Sequence, residues 1–228
     1  MNKSTVKKPI NNIQEKSARK NDMNKPNEQS GVLLQGHLKI FDPVSGEVFI
    51  NKRNAIHYEN FSLSLAQSMG NVGQGWISEM AFGNGGTSVD PTGVITYLPT
   101  NTSGSNSSLY NQTYYKVVDN NSTYNLDPTR NKIEIRHTAG TVYSDIFITC
   151  TLDYGEPSGQ QAFDNTTNLN DTFVFDELGI KAWNGSTVDA GNLITHVIFH
   201  PIQKSLNRLI QIDYTIRAQT LTNLTSQV

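Results

Sequence analysis

The stretch MAFGNGGTSVDPTG, residues 80–93, sets three glycines and an asparagine directly behind an apolar run that reads as a strand. Glycines in that position are one way a backbone cradles phosphate. A phosphate loop of that kind needs a Lys and a Ser/Thr after its last glycine, then a helix whose N-terminal amides face the anion. Here Gly86 is followed by Thr-Ser-Val-Asp-Pro, with no lysine and no helical pattern, and the third glycine comes too early for a dinucleotide fingerprint. The expectation is therefore a structural turn in which Gly83, Gly85 and Gly86 permit close packing of a partner chain.

The other reactive side chains are no better arranged. Asp171, Asp176 and Glu177 cluster in NDTFVFDELGIKAW. Adjacent residues of a strand point to opposite faces, so Asp176 and Glu177 read as strand-end solvation or an intersubunit ion pair. A glycosidase needs two carboxylates facing one sugar, and no pair is marked for that. His196 and His200 share a strand face four residues apart, roughly 13 Å at strand rise, too far for one metal unaided. His37, His57 and His137 stand alone, and Cys150 sits mid-strand in IFITCTLDY as a small core residue. There is no H-E-x-x-H, no paired cysteine and no nucleophile elbow. No catalytic residue, metal or cofactor is expected.

The elements that would position these residues are mostly strands. VLLQGHLKIFDPVSGEVFINKRN reads as a hairpin turning at Asp42-Pro43-Val44-Ser45-Gly46, where Pro presets one dihedral and Gly supplies positive φ. One amphipathic helix follows over residues 55–69, with Asn54 as N-cap, Gly70 as C′, and Tyr58, Phe61, Leu65 and Met69 on one face. Further strands are WISEMAF, VITYL, YYKVV, KIEIRH, TVYSDIFITCTLDY, DTFVFDELGIKAW, NLITHVIFH and RLIQIDYTIRA. Ile146, Ile148, Cys150 and Leu152, and likewise Ile210, Ile212, Tyr214 and Ile216, alternate with polar neighbours. Such strands are apolar on one face only, which predicts a mainly β fold: an antiparallel two-sheet β-sandwich, jelly-roll-like, with the helix across an end or an open edge. Loops 99–113 and 155–170 should lie on an outer surface or against partners.

With 228 residues the chain can form one good-sized domain. Residues 1–30 carry seven Lys/Arg against three Asp/Glu, net +4, and the remainder eleven against seventeen, net −6. The arm lacks core-forming periodicity and should order only on docking, so the reading is a basic N-terminal arm, 1–30, on a single sandwich domain, 31–228. Lys7, Lys8, Arg19 and Lys20 are expected to contact an acidic partner surface. The single cysteine fits assembly in a reducing compartment, no apolar leader marks secretion, and no run is long enough to span a bilayer. Without a basic-aromatic stripe in the body, specific nucleic-acid reading is not expected. Tyrosines in polar loops, Tyr110 and Tyr114 among them, suit protein interfaces and carbohydrate platforms alike.

Four stretches in order, GHLKIFDPVSGEVFINKRNAIHYENFSLSLAQSM, ISEMAFGNGGTSVDPTG, FVFDELGIKAW and LITHVIFHPIQKSLNRLIQIDYTIRA, resemble virion structural proteins of tailed bacteriophages. They cover residues 36–218 with gaps, the last holding a Pro-x-x-Lys-Ser turn between two long final strands; the arm and the segment 99–125 fall outside the likeness. The resemblance implies a non-enzymatic β-sandwich that assembles as a symmetric homo-oligomer at the head-to-tail neck or collar, or as a fibre adaptor. It also implies a virion location after assembly in the host cytoplasm, with partners that are further copies of itself and other virion proteins (portal or adaptor, capsid, collar or fibre). The alternative implied function is a receptor- or carbohydrate-binding fibre module using the tyrosine-bearing loops 97–125.

Overall fold

The alternating strands pair into one large antiparallel sheet that curls on itself. The computed structural model describes residues 31–104, 107–157 and 172–221, with Val32–Thr220 forming a compact unit. The expected arm, with Lys7, Lys8, Arg19 and Lys20, lies outside the described residues, as does most of the 155–170 loop.

Eleven strands and one helix make up the described fold: β1 (Gly31–Phe41), β2 (Val48–Ile56), α1 (Tyr58–Met69), β3 (Ile77–Gly83), β4 (Thr87–Val89), β5 (Ile95–Tyr97), β6 (Gln112–Val117), β7 (Lys132–His137), β8 (Tyr143–Leu152), β9 (Thr172–Ala182), β10 (Leu193–Ser205) and β11 (Ile210–Leu221). Nine of the strands run in the order β6-β3-β9-β10-β2-β1-β11-β8-β7, and β4 and β5 form a separate pair. The sheet divides at β2, which pairs with β1 along most of its length and with β10 only at Ala55 and Ile56. Two leaves result, β7-β8-β11-β1-β2 and β10-β9-β3-β6, and their inner faces share one apolar core. Leu38, Ile148, Cys150, Leu152, Ile212 and Tyr214 from the first leaf meet Met80, Phe82, Phe175, Leu178, Ile180 and Phe199 from the second. This is the expected mainly β, sandwich-like architecture, with the refinement that its two layers are one continuous sheet. Phe82 sits at the centre, 5.6 Å edge-on to Phe175 and 5.9 Å from Tyr114.

The first hairpin turns where expected. Asp42 Oδ1 accepts the amides of Val44 and Ser45, and Gly46 has φ +77°. Cys150 is fully buried, and desolvation pushes its thiol up to about 12.

Three local expectations are corrected. The helix begins at Tyr58 because β2 runs on through Ile56; His57, not Asn54, is the N-cap, its Nδ1 accepting the Asn60 amide. Gly70 caps the other end in a right-handed conformation, φ −73°, so it is not a left-handed C′ residue. The Pro201–Ser205 segment is strand rather than turn, and the chain reverses at 206–209. Pro201 is tolerated because the β9–β10 register breaks between Ile198 and Ile202, where no ladder amide is required of it. Beyond that break Lys204 turns inward, fully buried, and its ammonium donates to the carbonyls of Asp153, Glu156 and Ser205. Burial lowers its pKa to about 8 against the pull of Glu156 and Asp153.

Replacing Phe82 by Ala removes a fully buried ring from the shared core. The loss in unfolding free energy should be about 3–5 kcal/mol, read from urea denaturation of the two proteins under the same conditions.

Candidate functional site

The glycine turn at the end of β3 resolves into a carboxylate-binding loop whose anions belong to the chain itself. Along β9, Phe173 and Phe175 face the core, and so do Leu178, Ile180 and Ala182. The inward parity therefore slips by one residue between Phe175 and Leu178, and Asp176 and Glu177 both end up on the outer side of the leaf. The expectation that they face opposite ways fails at this irregularity, and both are buried rather than solvated.

Asp176 accepts from the amides of Gly86 (2.9 Å) and Thr87 (2.8 Å) and from the Thr87 hydroxyl. Glu177 Oε1 accepts from the amides of Gly85 (3.1 Å) and Asn111 (2.8 Å), while Oε2 takes the Tyr110 amide (2.9 Å) and His196 Nε2 (3.0 Å). His196 Nδ1 accepts the Asn101 amide at 2.8 Å, which fixes the proton on Nε2 and leaves neither ring nitrogen free for substrate. Burial works against ionisation of Glu177, yet the donations from His196, Asn111, Tyr110 and Gly85 outweigh it and hold the carboxyl below its ordinary range. For Asp176 burial dominates and raises its carboxyl despite the bonds from Thr87 and Gly86.

The close chain approach inferred for the glycines is internal. A Cβ on Gly83 would lie 2.5 Å from the Asn111 carbonyl oxygen, one on Gly85 2.7 Å from the Asn111 amide nitrogen, and one on Gly86 2.9 Å from the Ile198 side chain. The tyrosines separate. Tyr110 is partly exposed, its hydroxyl donating to the Pro99 carbonyl (2.7 Å), whereas Tyr114 lies in the core and burial raises its phenol. Tyr114 is thus not on the surface expected of a partner contact. His196 is buried and His200 exposed, with the register break of β10 between them. Among the described residues no three His, Cys, Asp or Glu side chains gather to hold a metal, and no helix is long and apolar enough to cross a membrane.

A second feature was not anticipated from sequence. A groove of about 740 Å³ opens between α1 and the β7–β8 corner of the first leaf. Ile133, Ile135 and Ile146 continue the inward face of that leaf into it, and Ile135 is 67% exposed. Trp76 and Trp183 stack on its other side with ring centroids 6.3 Å apart. Trp76 Nε1 donates to Asp119 Oδ2 at 3.0 Å, and the Trp183 amide bonds the Trp76 carbonyl at 2.7 Å. The segment 119–124 forms the rim, tied to β7 by Asn120, whose side-chain amide bonds both polar backbone groups of Ile133. Two tryptophans far apart in sequence carried no spacing signal, because ladder β3–β9 brings them together.

The helix beside this groove is inverted. Asn60 and Ser64 are its buried residues, with Asn60 Nδ2 bonded to the Leu193 carbonyl at 2.8 Å. Tyr58, Leu65, Met69 and the following Val72 are exposed. Of the expected apolar face only Phe61 packs on the core.

No protein-family model matches the chain, and neither a curated protein nor a solved structure is significantly similar to it.

Glu177→Gln keeps the shape but sets an amide NH₂ among four donors, at a cost of roughly 3 kcal/mol near neutral pH. A carboxyl depressed on folding stabilises fully above its unfolded pKa and loses that contribution as pH falls through its folded value. Urea unfolding at stepped pH should show the wild-type advantage present at pH 7 and shrinking below the ordinary glutamate value of 4.5.

Proposed function

We propose that this chain is a non-enzymatic structural component of a tailed-phage particle. It assembles as a symmetric homo-oligomer at the head-to-tail neck or collar, or as a fibre adaptor, and its basic arm latches onto neighbouring proteins. The observation that carries the reading is the inverted helix. Tyr58 is 65% and Met69 79% exposed, on a helix that buries an asparagine and a serine instead. A surface helix ordinarily does the reverse, and contiguous exposed apolar side chains mark a contact surface. A second copy is the natural cover, since a closed ring presents the same patch on every subunit. The charge split supports the latch: residues 1–30 are net +4 and the rest net −6, so an arm from one copy suits the body of the next.

The buried carboxylates fit the same role. Asp176 and Glu177 are spent on backbone amides of the chain's own loops, which makes them fastenings rather than proton-transfer groups.

Light scattering on the full chain at micromolar concentration should give a mass several times that of one chain. Tyr58→Lys with Met69→Lys should dissociate the assembly while leaving the far-UV spectrum unchanged. A wild-type monomer across that range would refute the oligomer. Deleting residues 2–30 should lower incorporation into particles; normal copy number in the deletion particles would refute the latch.

A further inference from the structure

We propose that the groove between α1 and the β7–β8 corner is a binding site for a neutral saccharide a few rings long. The groove borders the exposed helix face at Leu65, which lines it, but the site does not depend on the assembly role. Its volume, about 740 Å³, suits a ligand of that size.

The walls and the rim offer different chemistry. The stacked pair Trp76 and Trp183 on one side and Ile135 and Ile146 on the other present apolar faces of the kind that the C–H face of a pyranose covers. On the rim, polar capacity is left over. The side chains of Ser64, Ser68, Asn121 and Thr123 line the groove and make no hydrogen bond to the described residues. Ser122 Oγ accepts the Tyr124 amide and keeps its own proton to give. Within the same 119–131 segment other amides are spent inside the chain: Asn120 on Ile133, Asn125 on Asp119 and Asn131, and Asn131 on Thr151. An apolar peptide seated here would strand these hydroxyl and amide groups, whereas a polyhydroxylated ligand pairs them.

Charge narrows the class. Among the lining residues Asp119 is the one ionisable acid, and no Lys, Arg or His faces the groove. One oxygen of that carboxylate receives the Trp76 indole N–H and the other the Asn121 amide. An anionic ligand, whether phosphorylated, sulfated or carboxylated, would meet no counter-charge and one like charge. An uncharged sugar meets neither problem.

The chain supplies its own reporter, since its two tryptophans both line this groove. The full-length protein is titrated with maltotriose, cellotriose and the N-acetylglucosamine trimer while tryptophan emission is followed. At least one should give a saturable change, and a sialylated trisaccharide of the same length should give none at equal concentration. Asn121→Ala and Thr123→Ala, both on the surface loop, should weaken the responding sugar about tenfold each, with unchanged thermal unfolding. Absence of any response to all three neutral probes overturns the proposal. So does equal or tighter binding of the sialylated sugar, or an apolar dye that occupies the groove and is not displaced by the sugars.

Discussion

The fold depends on where two carboxylates go. A slip of one residue in β9 puts Asp176 and Glu177 on the same side, against the amides of Gly85, Gly86, Thr87, Tyr110 and Asn111. Buried ionised groups are costly unless their lone pairs are filled, and here each is filled by backbone donors that would themselves be orphaned in a loop without regular structure. The requirement is mutual. Without the carboxylates, the irregular segment covering Ala81, Leu109 and Leu193 on the outer side of the second leaf would have amides pointing at nothing. Without that segment, the carboxylates would be buried alone. The glycines follow from this, since a side chain at Gly83 or Gly85 would collide with the backbone of Asn111.

The first leaf ends at β7 with Ile133 and Ile135 facing inward but with little opposite them, since the second leaf stops at β6 and the gap falls to α1 and segment 119–124. That helix joins the second leaf through polar contacts, the His57 amide on the Ile194 carbonyl and Asn60 on Leu193. Directional bonds fix its orientation as an apolar stripe would, but leave the apolar residues to face outward. The groove and the exposed stripe are thus two consequences of one choice, a helix held by hydrogen bonds instead of by its hydrophobic face.

What was legible in the sequence follows the same division. Alternation in β8 and β11 and the turn chemistry of Asp42–Gly46 are local properties, and they appear as read. The helix is recognisable by period, but period gives a stripe without saying which way it points, and Asn60 and Ser64 signal their burial only through partners 133 residues away or through the groove. The opposite-face reading of Asp176 and Glu177 assumed an unbroken strand, and nothing in FVFDELGIK announces the slip. The Pro-x-x-Lys-Ser stretch read as a turn through the resemblance, and the register break in β10 instead lets Pro201 sit in a strand without a ladder amide. The tryptophan pair is invisible along the chain because strand register, not spacing, creates it.

The interior holds several polar side chains whose bonding capacity is used within the chain. Lys204 is fully buried and gives its protons to three carbonyls, Glu177 is fully buried and receives four donors, and His196 has both nitrogens engaged. Each would draw attention as a reactive group if seen in isolation, and each is spent. The side chains that retain capacity, Asn121, Thr123 and the Ser64 and Ser68 hydroxyls, are chemically unremarked and look ordinary in sequence, yet they gather around an apolar groove. Asn121, Thr123 and Ser68 are exposed and bond water in the free protein, so a molecule that covers the groove has to replace those water partners, which a polyhydroxylated ligand does and an apolar one does not.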